Sequence, residues 1–191
     1  MRYLWMFLLV GVLAACKPAT EATKTVATDI TGADFAQALS LTDHTGKPRT
    51  LADFKGKAVV LFFGYTHCPD ICPTTMADLK QTMKMLGSRA DEVQVLFVTL
   101  DPTRDTQEVL AKFVPAFDKR FIGLRGTEEE VAATAANFKV YAKKVESKGK
   151  SDYTIDHSAG SYAFDKEGKI RLYIDYGERP ADIANDIKQI M

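Results

Sequence analysis

The sequence predicts an α/β domain with a mixed central sheet flanked by helices, and three observations predict it. Ala58–Tyr65 (AVVLFFGY) and Val93–Leu100 (VQVLFVTL) are nearly unbroken apolar runs, as strands covered on both faces require. Between them Met76, Leu79, Met83 and Leu86 recur at helical spacing, so strand, helix and strand form a βαβ unit with a right-handed crossover. Near the other end, Asp165-Lys-Glu-Gly168 joins Ser161–Phe164 to Lys169–Asp175 as an antiparallel hairpin. Parallel and antiparallel pairing together make the sheet a mixed one.

The remaining elements follow from their ends. Leu41-Thr-Asp-His-Thr-Gly-Lys47 reads as a short strand entering an Asp/Gly turn. Asp105, three residues before Glu108, starts a capped helix whose apolar side carries Val109, Phe113 and Phe117. Thr127 and Glu130 mark another in the same way, running to about Val140. Pro180 opens a last helix to Ile190, because a first turn does not need the N–H that proline lacks. The order of elements is compatible with a thioredoxin-like core.

Composition agrees. The chain has 191 residues, 46% of them hydrophobic and 26% charged, which suits one domain plus a tail. Its 25 basic and 25 acidic side chains cancel, so it lacks the basic footprint of a nucleic-acid binder. Three cysteines are too few for a disulfide-stapled mini-domain and need separate explanations.

The first cysteine belongs to a processing signal. Arg2 is followed by an apolar stretch, Tyr3 to Leu13, and then by Ala14-Ala15-Cys16. A short positive region, an apolar segment and small residues make an export signal, and the run is too short to span a bilayer. Leu13-Ala-Ala-Cys16 resembles the bacterial lipobox, whose cysteine is acylated and becomes the first mature residue. The sequence therefore divides into a signal peptide (1–15), a Thr/Ala/Lys-rich tether from lipidated Cys16 (16–32) and a folded domain (33–191). The expected location is the bacterial cell envelope, on a membrane facing the periplasm. Lys17 does not supply the acidic cue that retains a lipoprotein in the inner membrane.

The other two cysteines lie in Phe63-Gly-Tyr-Thr-His-Cys68-Pro-Asp-Ile-Cys72-Pro73, between the first apolar strand and its helix, where α/β folds carry reactive groups. Pro73 belongs in the first helical turn, which puts Cys72 near the N-cap and Cys68 on the preceding loop. The helix dipole should then depress the thiol pKa. Three residues separate the cysteines, one more than in a CxxC motif, so both sulfurs can point at one external atom or close reversibly into a disulfide. Two thiolates are an incomplete metal site, and the candidate third ligands are His157, His67 and His44, of which His44 reads as solvent-facing. A lone loop histidine such as His157 is by itself more often exposed than ligating.

The segment Phe63–Leu79 (FGYTHCPDICPTTMADL) closely resembles the Sco/SenC family of copper-binding proteins. The resemblance continues in Val98-Thr-Leu-Asp-Pro-Thr-Arg-Asp-Thr106, in Phe121-Ile-Gly-Leu124 and in Tyr153-Thr-Ile-Asp-His-Ser-Ala-Gly160. It implies a thioredoxin fold in which Cys68, Cys72 and His157 bind one copper ion, as Cu(I), Cu(II) or both. It also implies a role in maturing the CuA centre of cytochrome c oxidase. The chain would act as a copper donor to the copper-bearing subunit, or as a thiol reductase for that subunit's cysteines. Other periplasmic copper chaperones or thiol reductants would be its further partners.

Donor chemistry agrees, since soft thiolates favour Cu(I) and imidazole suits either oxidation state. Structural zinc would need a recruited fourth ligand, such as His67 or Asp156. A peroxidase of the P-x-x-x-T-x-x-C type is disfavoured by Tyr65 in place of the threonine. Asp101 is expected to form a turn beside Pro102 and Asp105 to cap a helix, although either could instead orient a ligand. Met76 and Met83 fit the buried stripe of their helix and read as core.

Overall fold

The two apolar runs form the middle of the sheet. In a computed structural model, which describes residues 25–146 and 153–191, they are β4 (Ala58–Gly64) and β5 (Val93–Thr99), paired in parallel and buried at every position. The crossover between them is α1 (Ile71–Leu86), which buries Cys72, Met76, Leu79, Met83 and Leu86. Met76 and Met83 thus serve packing, as expected.

Around this unit lie β1 (Thr28–Asp29), β2 (Ser40–Asp43), β3 (Pro48–Thr50), β6 (Ile122–Arg125), β9 (Ser161–Phe164) and β10 (Ile170–Ile174). They complete an eight-stranded sheet in the order β1-β10-β9-β4-β5-β6-β2-β3, with β6 parallel to β5 and the other added pairs antiparallel. The predicted hairpin is β9–β10. Helix α2 (Gln107–Phe117) packs on β6, α3 (Glu128–Asn137) on β2, and α4 (Pro180–Ile190) on α1. Thr127 and Glu130 close the expected capping box on α3, and Pro180 opens α4. Apart from the main sheet, β7 (Ala142–Glu146) and β8 (Tyr153–His157) form a two-stranded antiparallel sheet, with Ala142 opposite His157.

Two expectations change. Helix α2 starts one residue later than its predicted cap, with Thr106 accepting from Val109 N, so Asp105 is released for another use. The chain also docks before residue 33. Val26 and Ala27 donate their amides to Asp186 on α4 at 2.9 and 2.8 Å, and Thr28–Asp29 pairs with β10. A buried carboxylate satisfying two amides is reason enough for these residues to join the sheet edge instead of the tether. Cys16, the signal segment and the rest of the tether lie outside the described residues. Among the described residues, no helix is long and apolar enough to cross a membrane.

Candidate metal centre

The cysteine loop begins where β4 ends. Gly64 lets the α1 N-terminus come down on the strand: a Cβ there would lie 2.9 Å from the Cys72 sulfur. Cys68 N–H turns back to the Tyr65 carbonyl at 3.3 Å, and Cys72 N–H donates to the Cys68 sulfur at 3.4 Å. Both cysteines are free, Cys68 half-buried and Cys72 fully buried.

His157 arrives from the other sheet, at the end of β8. Its Nε2 lies 3.5 Å from the Cys72 sulfur, while Nδ1 lies 2.8 Å from the Ser158 carbonyl oxygen. A carbonyl only accepts, so Nδ1 carries the proton and the Nε2 lone pair faces the thiols. One ligand atom from each of Cys68, Cys72 and His157 fits within 4.8 Å of the others. The rings of Phe62 and Tyr65 wall the imidazole, at centroid separations of 6.2 and 6.0 Å. Of the three histidine candidates, the fold brings His157 to the sulfurs.

The remaining candidates go elsewhere. His67 is exposed, with Nδ1 3.1 Å from the Thr66 hydroxyl, and neither it nor Asp156 joins the three donor atoms. His44 is half-buried, not solvent-facing, because its Nδ1 accepts the Gly123 amide at 3.0 Å and ties the β2 turn to β6.

The electrostatics correct the expectation for the helix-start thiol. Burial pushes the Cys72 thiol well above its ordinary range, because desolvation outweighs the backbone hydrogen bond that favours the thiolate. Burial also lowers the His157 pKa from 6.5, which keeps the imidazole neutral and able to donate a lone pair. A neutral ring and a protonated thiol are compatible neighbours, and both are ready to ligate once the thiol proton leaves.

Asp105 is no cap. It is buried and accepts from Thr66 N at 3.0 Å, Thr66 Oγ1 at 2.5 Å and Thr99 Oγ1 at 2.6 Å, so it pins the cysteine loop to the end of β5. Burial raises its pKa against these hydrogen bonds. Asp101 does form the expected turn, its carbonyl accepting Asp105 N at 2.8 Å, but its carboxylate also accepts from the Tyr153 hydroxyl at 2.7 Å and from Arg104. Sequence reasoning missed Thr66, Thr99 and Arg104. The available signal was the Asp-x-x-x-Asp run at the C-terminal end of a central parallel strand, where such folds gather their functional groups.

With fold and site described, comparison with known proteins settles the ancestry. The family model described as SCO1/SenC matches residues 27–191. The chain belongs to the SCO1/SenC family. A SCO1/SenC relative, the mitochondrial SCO2 homolog of Mus musculus, is 39% identical over 153 residues, covering 79% of this chain and 59% of the relative. The chain thus spans less than two thirds of that relative's length. Bradyrhizobium japonicum ScoI, solved with copper bound, is 38% identical at a TM-score of 0.74, over 81% of this chain and 98% of that one. Apo Sco1 of Thermus thermophilus is 33% identical at a TM-score of 0.79, over 90% and 99%. The SCO1/SenC fold here is the thioredoxin-like one expected from the sequence.

Proposed function

We propose that the chain is a membrane-tethered copper carrier that takes one copper ion on Cys68, Cys72 and His157 and passes it to the copper-bearing subunit of cytochrome c oxidase during CuA assembly. The observation that carries this reading is the convergence of two sulfurs and one imidazole lone pair within 4.8 Å. Two soft thiolates with one imidazole suit Cu(I), and three ligands leave a face for hand-over. Binding releases the Cys72 proton, so uptake is linked to pH. Copper-bound relatives such as the Bradyrhizobium protein support the choice of metal. Acylation at Cys16 would moor the carrier to the bacterial envelope, where its target is embedded.

The test is to load the reduced full chain with Cu(I) and mix it with the oxidase subunit's copper-free domain. Transfer of about one copper per chain is expected, with uptake abolished in Cys68→Ala or Cys72→Ala and weakened in His157→Ala. Stoichiometric binding with no transfer would overturn the carrier role.

A second reading, thiol–disulfide reduction, is favoured by the half-buried Cys68 sulfur beside Cys72. Cys68 as thiolate attacks a target disulfide, one target sulfur leaves as a thiolate, and Cys72 then displaces the second. The target gains two thiols and the Cys68–Cys72 pair becomes a disulfide. That activity would survive His157→Ala unchanged, whereas copper uptake would be weakened.

A further inference from the structure

The two halves of the proposed site belong to different sheets. Cys68 and Cys72 are fixed by β4 and α1, whereas His157 rides on β8, which among the described residues pairs with β7 and not with the eight-stranded sheet. No ladder of backbone hydrogen bonds therefore sets the distance from imidazole to sulfurs. Side chains set it. Arg104, in the loop after β5, donates from Nη1 to the Tyr153 carbonyl at 2.9 Å and stacks its guanidinium on the Tyr153 ring, 3.7 Å from the centroid. Asp101 holds the other edge of that guanidinium and accepts the Tyr153 hydroxyl at 2.7 Å. Further along β8, the Tyr65 hydroxyl accepts Ile155 N at 3.2 Å.

The same loop also pins the cysteine side. Asp105, next to Arg104, holds Thr66 two residues before Cys68. One short segment, Asp101–Asp105, thus grips the cysteine loop with one carboxylate and the histidine strand with a stacked, hydrogen-bonded arginine. Planar stacking and a forked donor are what arginine supplies and lysine does not.

Resting on the copper reading above, we propose that Arg104, oriented by Asp101, is a positioning residue for His157: by clamping Tyr153 it holds the imidazole against the thiols and sets how long the copper ion stays. Without the clamp, β8 and its partner β7 keep the Ile155 contact and the connection to β9, but the Tyr153 end, about 13 Å from His157, loses its tie to the loop after β5. Cys68 and Cys72 stay where they are. Copper then leaves by way of a two-sulfur state more often.

The test measures the rate at which the reduced, Cu(I)-loaded full chain loses copper to excess bathocuproine disulfonate. Arg104→Met and Tyr153→Phe are compared in the wild-type and His157→Ala backgrounds. Arg104→Met is expected to speed loss about tenfold or more, as loss of an outer-shell partner commonly does, and Tyr153→Phe less, in the same direction. In the His157→Ala background neither change should alter the rate, because the residue they act through is gone. An unchanged rate in Arg104→Met, or an equal acceleration in both backgrounds, would overturn the inference. If Arg104→Met does not fold, Arg104→Lys and Tyr153→Phe decide by the same comparison. A wild-type chain that takes up no copper, or a His157→Ala chain that loses it at the wild-type rate, would sink the functional reading, and the inference with it.

Discussion

Gly64→Ala tests how closely the thiol is seated. A Cβ at Gly64 would lie 2.9 Å from the Cys72 sulfur, 2.9 Å from Phe62 Cε1 and 3.0 Å from Phe97 Cε2, against 3.4 Å or more for ordinary contact. Each neighbour must retreat by about 0.5 Å, and all three are wholly buried. The rings have little space to give, so the sulfur takes part of the displacement. A displacement of the Cys72 sulfur by a few tenths of an ångström is larger than the roughly 0.2 Å within which metal–ligand distances are held. Overpacking of this kind costs about 1–3 kcal/mol, which for a domain of this size is a drop in Tm of roughly 2–12 °C. Copper affinity should fall about tenfold or more, while both thiols still react with a thiol reagent in the denatured chain. Differential scanning calorimetry and competition with a Cu(I) chelator measure the two effects. A variant that melts and binds as the wild type does would refute the close seating of Cys72 on β4.

Three other outcomes are expected. Asp105→Ala removes an acceptor shared by Thr66 N, Thr66 Oγ1 and Thr99 Oγ1, and should cost roughly 3 kcal/mol in denaturant unfolding while weakening copper uptake through the loosened loop. Stability of the copper-free chain should decline on both sides of neutrality. Above about pH 9 the folded state keeps the Cys72 proton that the unfolded state loses, so stability falls by at most about 1.4 kcal/mol per pH unit, and the part of this limb between about pH 9 and 10, before the buried tyrosines add to it, should vanish in Cys72→Ala. Below about pH 6.5 the unfolded state protonates His157 before the folded state does, so stability falls there too, and His157→Ala should flatten that limb in thermal melts. Finally, Asp186→Ala strands the amides of Val26 and Ala27, and limited proteolysis should then cut near residues 25–29 with the domain core intact.

The central elements were legible because their signals are local. Apolar runs of seven or eight residues, rich in Val and Phe and bounded by polar or Gly residues, read as strands covered on both faces, and Thr127 with Glu130 or Pro180 marks a helix start by chemistry confined to one turn. Cys68 and Cys72 were legible for the same reason, being four residues apart at a strand-to-helix junction. His157 was not: it lies 85 positions from Cys72, and only the family resemblance singled it out. Burial was the least visible quantity. The dipole argument for Cys72 is sound for an exposed helix start, but nothing in the local sequence says that Gly64 lets the sulfur sink into the core. Asp105 was misread because its spacing from Glu108 fits a helix start, and only the tertiary contact with Thr66 shows that its carboxylate is occupied elsewhere.

The docking of residues 26–29 also fixes a direction. Thr28 faces Tyr173 and Asp29 faces Leu172, while Ile174 stands level with Ser161 and Phe62, so the polypeptide enters β1 from the sheet end that carries the cysteine loop. Between Cys16 and Val26 a fully extended chain reaches about 35 Å. Were Cys16 acylated as proposed, the domain would be leashed from the sheet end that carries the thiols and held within a few nanometres of the lipid surface. An acceptor embedded in that membrane would then lie on the side from which the leash leaves the domain.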